Sequence, residues 1–278
     1  TPSNSSAASD VYKRQDKKYR EKLGSISAEL EEMGVDLVLG ENYLDKLDGY
    51  DVIFKTPSMR IDRSEFVKAK EAGAYITSEM EEFIKYCPAN IFGVTGSDGK
   101  TTTTTLVYEM LKKEGYKTWV GGNIGTPLFA NIEEMKEDHM VVLELSSFQL
   151  MTMDVSPEIS LITNLSPNHL DVHKDFEEYV EAKKNIFKYQ ENNDLLVLNK
   201  DDELTNRMEK EALGNILKFS LVEKVYDGAC LSNNKLTILG KEVCDSKDIK
   251  LKGRHNIANL LAAFCCLLYT SPSPRDTR

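Results

Sequence analysis

Four histidines, one tryptophan and five cysteines in 278 residues leave little material for several kinds of chemistry. The cysteines, Cys87, Cys230, Cys244, Cys265 and Cys266, are odd in number and show no C-x-x-C spacing, so neither a disulfide framework nor a zinc site is supported, and a reducing cytoplasm is the simplest setting. No apolar run approaches the roughly 20 residues of a membrane span. No charged, apolar, then small-residue signal opens the chain. Basic blocks are also missing, and the net charge of −10 argues against a nucleic-acid-binding surface. Internal repeats and low-complexity segments are absent from the body of the chain. What is present, 41% hydrophobic and 29% charged residues, is the composition of a soluble globular protein long enough for about two domains.

Both ends read as foreign. Residues 1–15 (TPSNSSAASDVYKRQ) and 270–278 (TSPSPRDTR) are polar and aperiodic, like translated adaptor or cloning scars. The second interrupts a good helix pattern over 256–269, and the first stands where an opening strand is expected. The chain therefore reads as an internal fragment of a longer protein, inactive by itself.

Between the tails, short apolar runs alternate with amphipathic segments, which predicts an α/β fold with parallel, doubly wound sheets. Residues 16–89 read as a partial Rossmann-like domain lacking its first strand. Its expected elements are helices over 26–33, 62–72 (capped by Asp62) and 79–86, and strands over 36–39, 51–54 and 74–77. Pro88 marks a boundary. Residues 90–269 read as a P-loop-type ATPase domain with strands over 117–120, 140–145, 159–164, 195–198 and 216–220. Helices are expected over 101–114, 176–189 and 201–213, and a hairpin around Asn233-Asn234.

The densest chemical signal is residues 91–103, IFGVTGSDGKTTT. A strand, a glycine-rich turn and a helix start in that order bring backbone N–H groups, a helix dipole, the charge of Lys100 and the hydroxyl of Thr101 onto a phosphate and its Mg²⁺. The strict loop pattern fails by one position, with Val94 where a glycine is required. Ligands of open α/β sheets bind at the carboxyl ends of the strands. Following each strand to that end gives Asn123, Glu144, Ser146, Asn164 and His169. Glu144 interrupts an apolar run and is either a Mg²⁺ ligand beside the phosphates or a partly exposed strand-end carboxylate. His169 and His173 lie four apart without a third zinc ligand nearby, and His173 alone reads as a surface or capping histidine. By sequence alone, Lys183 is a solvated helix lysine.

The loop GVTGSDGKTT resembles the ATP loop of the Mur ligase family, whose variant spaces its glycines in this way. GGNIG at 121–125, ELSSFQL at 144–150, NLSPNHLD at 164–171, the helix ending in Ala182-Lys183, and GRHNIAN at 253–259 resemble further motifs of that family. The likeness is to the branch that joins D-glutamate to UDP-N-acetylmuramoyl-L-alanine. It implies an ATP-dependent amide ligase of peptidoglycan precursor synthesis that works in the cytoplasm as a monomer, without nucleic-acid or membrane partners. It further implies that Gly96, Ser97, Asp98, Gly99, Lys100, Thr101 and Thr102 hold the ATP phosphates, with Asn256 and Asn259 toward adenine. Two Mg²⁺ are implied, one on Thr101 and Glu144, the other on His169 and a carbamylated Lys183. Lys100, Glu144, His169 and Lys183 are the catalytic set. Asn123, Ser146 and His169 would face the muramoyl-alanine end of the substrate, and Thr56, Asp16 and Lys17 its uridine diphosphate. Asn168 departs from the aspartate common in relatives, and the domain that binds D-glutamate is missing. The competing readings are another Mur ligase or folylpolyglutamate-type synthase, and a P-loop ATPase or binding module without carboxylate-dependent phosphate release.

Overall fold

A computed structural model of the chain describes residues 12–45, 47, 49–167 and 173–269. Two compact units emerge, residues 1–53 with 60–76, and residues 54–59 with 77–278.

The elements of the first unit are β1 (Lys13–Asp16), α1 (Arg20–Leu23), α2 (Ser25–Glu32), β2 (Asp36–Leu39), β3 (Val52–Phe54), α3 (Ser64–Glu71) and β4 (Tyr75–Thr77), the last residues of β3 and β4, Phe54 and Thr77, being counted in the second. β1 runs parallel to β2, with Lys13 opposite Asp36 and Asp16 opposite Leu39. This corrects the expectation of no first strand. Lys13–Asp16 has no apolar alternation, and its pairing is carried by the backbone, with Asp36 N donating to Tyr12 O (3.0 Å) and Gly40 N to Asp16 O (3.0 Å). Asp62 is not the cap of α3. Arg63 stands at that position, and Asp62 pairs with Arg60 at 2.8 Å instead.

The second unit is built on one sheet. Its elements are α4 (Glu79–Tyr86), β5 (Asn90–Thr95), α5 (Lys100–Lys113), β6 (Thr118–Gly122), β7 (Met140–Glu144), α6 (Ser147–Leu150), β8 (Ile159–Ile162), α7 (Phe176–Lys184), β9 (Leu195–Asn199), α8 (Glu203–Arg207), β10 (Asn215–Ser220), β11 (Gly228–Ser232), β12 (Lys235–Ile238), β13 (Lys241–Asp245) and α9 (Arg254–Leu267). Phe83 and Ile84 of α4 pack in the core with Ile91, so the division between units lies ahead of that helix and not at Pro88.

The strand order is β13-β12-β11-β10-β9-β8-β5-β7-β6, parallel from β6 to β11 and antiparallel beyond. Alternate residues of the buried strands face opposite sides. Val141 and Leu143 join a core with Leu150, Tyr179 and Ile186, whereas Met140 and Val142 join one with Val107, Leu111 and Leu261. The sheet is thus covered on both faces, which explains why its strands read as continuous apolar runs. Asn233 and Asn234, at φ 50° and 63°, make the expected tight turn between β11 and β12. Two consequences place the site. β5 lies between β7 and β8, so the chain order turns outward from it in both directions, and the carboxyl ends of these three strands open on one crevice. Among the described residues no helix is long and apolar enough to cross a membrane.

Candidate active site

β5 ends at Thr95, and two glycines carry the chain into α5. Gly96, at φ 141°, would push a Cβ into Thr163 Oγ1. Gly99, at φ 81°, would push one into Asn259 Oδ1. A side chain at either position meets both backbone strain and a collision. The loop is pinned from β8's end. Asn164 Oδ1 accepts from Asp98 N (3.0 Å), Asn164 Nδ2 donates to Asp98 O (2.9 Å), and Thr163 Oγ1 donates to the same carbonyl (2.6 Å). Asn164 O accepts from Ser97 N at 2.8 Å. The N-terminus of a 14-residue helix is thereby held at the edge of a cavity of about 380 Å³.

Three side chains from three elements meet across that cavity. Glu144, 2% exposed at the end of β7, accepts from Thr101 Oγ1 at 2.7 Å and from Asn123 Nδ2 at 3.0 Å. Both donors are neutral, so the buried carboxylate keeps lone pairs for a cation. Lys100 bends back onto the loop carbonyls of Gly96 (3.0 Å) and Ser97 (2.8 Å). Burial lowers its pKa, and the charges of Glu144 and Asp98 oppose that effect.

Lys183 is the surprise of the site. The sequence pattern made it a solvated lysine, yet it is 1% exposed and lines the cavity. Its ammonium donates to Thr95 Oγ1 at 3.1 Å and lies 4.9 Å from the centre of the Tyr179 ring. Burial, then the charge of Lys100, brings its pKa down to about 7, with Glu144 opposing. A lysine so placed is largely neutral at slightly alkaline pH, which makes the amine a nucleophile.

The remaining expected residues distribute as follows. Ser97, Asp98, Thr102 and Ser146 line the same cavity, and Ser146 also caps α6 in a reciprocal box with Gln149. Asn259, on α9, is 7% exposed against the loop and donates to Asn256 Oδ1 at 3.3 Å. Thr56 lines a second cavity of the same unit, about 400 Å³, with Lys55, Ser78, Gly122, Gly125 and Gln149. Asp16 and Lys17 belong to the first unit, where Asp16 closes β1. His169 and Asn168 lie outside the described residues. Among the described residues no three His, Cys, Asp or Glu side chains converge as a metal site.

Several residues escaped the sequence reading. Tyr179 shares a 2.9 Å hydrogen bond with Ser97 Oγ, which itself donates to Ser166 O at 2.9 Å. His173, read as a surface or capping histidine, is 3% exposed and stacked on Phe148. Lys55, 5% exposed, has its pKa lowered by burial, opposed by Glu81. A signal for Lys183 did exist. Phe176, Tyr179, Val180, Ile186 and Phe187 form an apolar stripe at helical spacing, and Lys183 falls on it.

The sequence profile described as the Mur ligase middle domain matches residues 94–267. UDP-N-acetylmuramoylalanine--D-glutamate ligase of Clostridium botulinum strain Hall is 92% identical over 250 residues, covering 90% of this chain and 55% of that protein. The enzyme of the same name from Clostridium novyi is 69% identical over 250 residues, with 90% and 55% covered. The chain thus spans about half the length of the curated relatives it matches. Among solved structures, UDP-N-acetylmuramate-alanine ligase of Thermotoga maritima superposes with TM-score 0.53 at 25% identity, covering 89% of this chain and 57% of the other. UDP-N-acetylmuramate:L-alanyl-gamma-D-glutamyl-meso-diaminopimelate ligase from Neisseria meningitides gives TM-score 0.58 at 19% identity, over 90% and 83%, a likeness of fold.

Proposed function

Since this chain belongs to the Mur ligase family, we propose that it forms part of a cytoplasmic ATP-dependent ligase that adds D-glutamate to UDP-N-acetylmuramoyl-L-alanine. The 92% identity to the botulinum enzyme supports the choice of substrates. The observation that carries the chemistry is the half-buried Thr101–Glu144–Asn123 contact beside Lys100, at the carboxyl ends of adjacent strands.

A carboxylate is a poor acyl donor, and the phosphate loop solves that problem. An oxygen of the alanyl carboxylate attacks the γ-phosphorus of ATP, giving an acyl phosphate and ADP. The amine of D-glutamate then attacks the acyl carbon, expels phosphate, loses a proton and leaves an amide. Ser97 to Thr102 cradle the phosphates, and Lys100 swings from its loop carbonyls to the transferred group. Asn123 and Ser146 border the reacting end of the muramoyl-alanine substrate, and Thr56 its far end. Asn256 and Asn259 bound the adenine side. Asp16 and Lys17 are assigned to the uridine diphosphate by family resemblance alone.

The donor set suits Mg²⁺. Thr101 Oγ1 and Glu144 offer a hydroxyl and a carboxylate, and Mg²⁺ there would neutralise charge on the γ-phosphoryl oxygens. Lys183 joins a second set, with His169, once its neutral amine adds to CO₂. One N–C bond forms, one proton leaves, and a buried cation becomes a carboxylate-like ligand. Incubation with ¹³C-bicarbonate should give a carbamate NMR signal that Lys183→Ala abolishes. A signal that survives the substitution removes Lys183 from this role. The reaction itself is tested by phosphate release from the full-length protein carrying this chain. Release should require both UDP-N-acetylmuramoyl-L-alanine and D-glutamate; ATP hydrolysis indifferent to both would overturn the ligase reading in favour of a nucleotide switch.

A further inference from the structure

We propose that His173 is a positioning residue that locks the two side walls of the active-site cavity together through the hydroxyl of Ser147. The inference rests on the ligase reading only for the reaction it serves. One wall comes from β7 and α6 and carries Glu144, Ser146, Ser147 and Phe148. The other comes from α7 and carries Tyr179 and Lys183. His173 stands between them with its side chain fully buried. Its Nε2 lies 2.9 Å from Ser147 Oγ, and Ser147 is itself 2% exposed. On one side its ring stacks on Phe148, with centroids 5.5 Å apart and planes at 10°. On the other it meets Tyr179 edge-on, at 5.3 Å and 83°.

An apolar ring would fill this place without the cost of burying two ring nitrogens. Polar contacts hold the ring on both of its nitrogens: Nδ1 approaches Glu178 Oε2 at 3.7 Å, and the Nε2 bond to Ser147 ties the segment after β7 to the approach of α7. What it positions is Tyr179. That residue's hydroxyl bonds Ser97 of the phosphate loop, and its ring lies beneath the Lys183 ammonium. A shift of His173 is passed to both. Reacting groups misplaced by about 1 Å lose on the order of 10²-fold in rate.

The test uses the full-length protein with His173→Phe, Ser147→Ala, the double substitution and His173→Gln. His173→Phe keeps the stacked ring and loses the bond; His173→Gln keeps a hydrogen-bonding group and loses the ring. The expected result is a fall in kcat of about tenfold for both His173→Phe and Ser147→Ala, with KM for D-glutamate unchanged. The double substitution should be no worse than the worse single one, since both remove one bond, and His173→Gln should recover part of the loss. Affinity for a fluorescent ATP analogue should weaken in parallel, because Ser97 moves with Tyr179. Unchanged kcat in both single variants would overturn the proposal, as would losses that multiply in the double variant or that track melting temperature. Wild-type protein without substrate-dependent phosphate release defeats the ligase reading instead. The nucleotide affinities then decide alone, and values equal to wild type overturn the role of His173.

Discussion

The two ends of the nine-stranded sheet use polar residues differently. At the amino ends, the side chains of Glu158 and Gln190 bond backbone groups. Glu158 accepts from Ile91 N at 3.0 Å, and Gln190 Nε2 donates to the carbonyls of Pro157 (2.9 Å), Glu158 (3.2 Å) and Leu195 (3.0 Å). At the carboxyl ends, backbone bonds such as those of Lys100 and Asn164 are joined by bonds between side chains of different elements, Thr101 with Glu144, Asn123 with Glu144, Lys183 with Thr95 and Ser97 with Tyr179. Backbone partners cannot leave, so the amino end is finished architecture. Side-chain partners can exchange one another for a ligand, so the carboxyl end is prepared for one. Burial alone does not separate the two, because both ends hold buried charged or polar groups.

The comparison breaks first, and hardest, on Lys100. Lys100→Ala should lower phosphate release by roughly 10³-fold while leaving the melting temperature unchanged or higher, because a desolvated cation is removed. A large loss of stability would mean that this end, too, is architecture. Next comes Lys183→Ala, expected to lower kcat on the order of 10²-fold, with partial recovery on adding formate or acetate. No loss of rate removes Lys183 from the site. At the other end, Glu158→Ala strips the acceptor from a buried N–H and should cost about 1–3 kcal/mol in denaturant melts, with kcat intact. Loss of rate without loss of stability there would erase the distinction.

The same difference sets what could be read from sequence. The strands were legible because their apolar runs are continuous, and β7 and α4 fall where the patterns placed them. The loop was legible because Gly96, Gly99, Lys100 and Thr101 are neighbours in the chain. Glu144 stood out as the one charge in an apolar run. Lys183 was misread although the apolar stripe of α7 runs through its position, and His173 because it precedes α7 and belongs to no periodic element. β1 was missed for a related reason: an edge pairing made by backbone leaves no side-chain pattern. The separation between chemistry and architecture at the two sheet ends is a property of partners, and partners are set by the fold.

The most direct contrast comes from pH, which acts on the two ends with opposite sign. Lys183 falls from 10.5 to about 7 in the folded chain. Between those values the unfolded chain binds the proton and the folded chain does not, so stability rises with pH across that window and is flat below it. Glu158 moves the other way, raised from 4.5 mainly by burial. As pH climbs through 4.5 to the elevated value, the folded chain holds the proton longer, so this residue makes stability fall with rising pH. Melting curves in CO₂-free buffer should therefore show a weaker alkaline rise in Lys183→Met and a weaker acid-side fall in Glu158→Gln, each variant leaving the other's window intact. A single substitution that flattened both windows would mean that the two ends of the sheet titrate as one network.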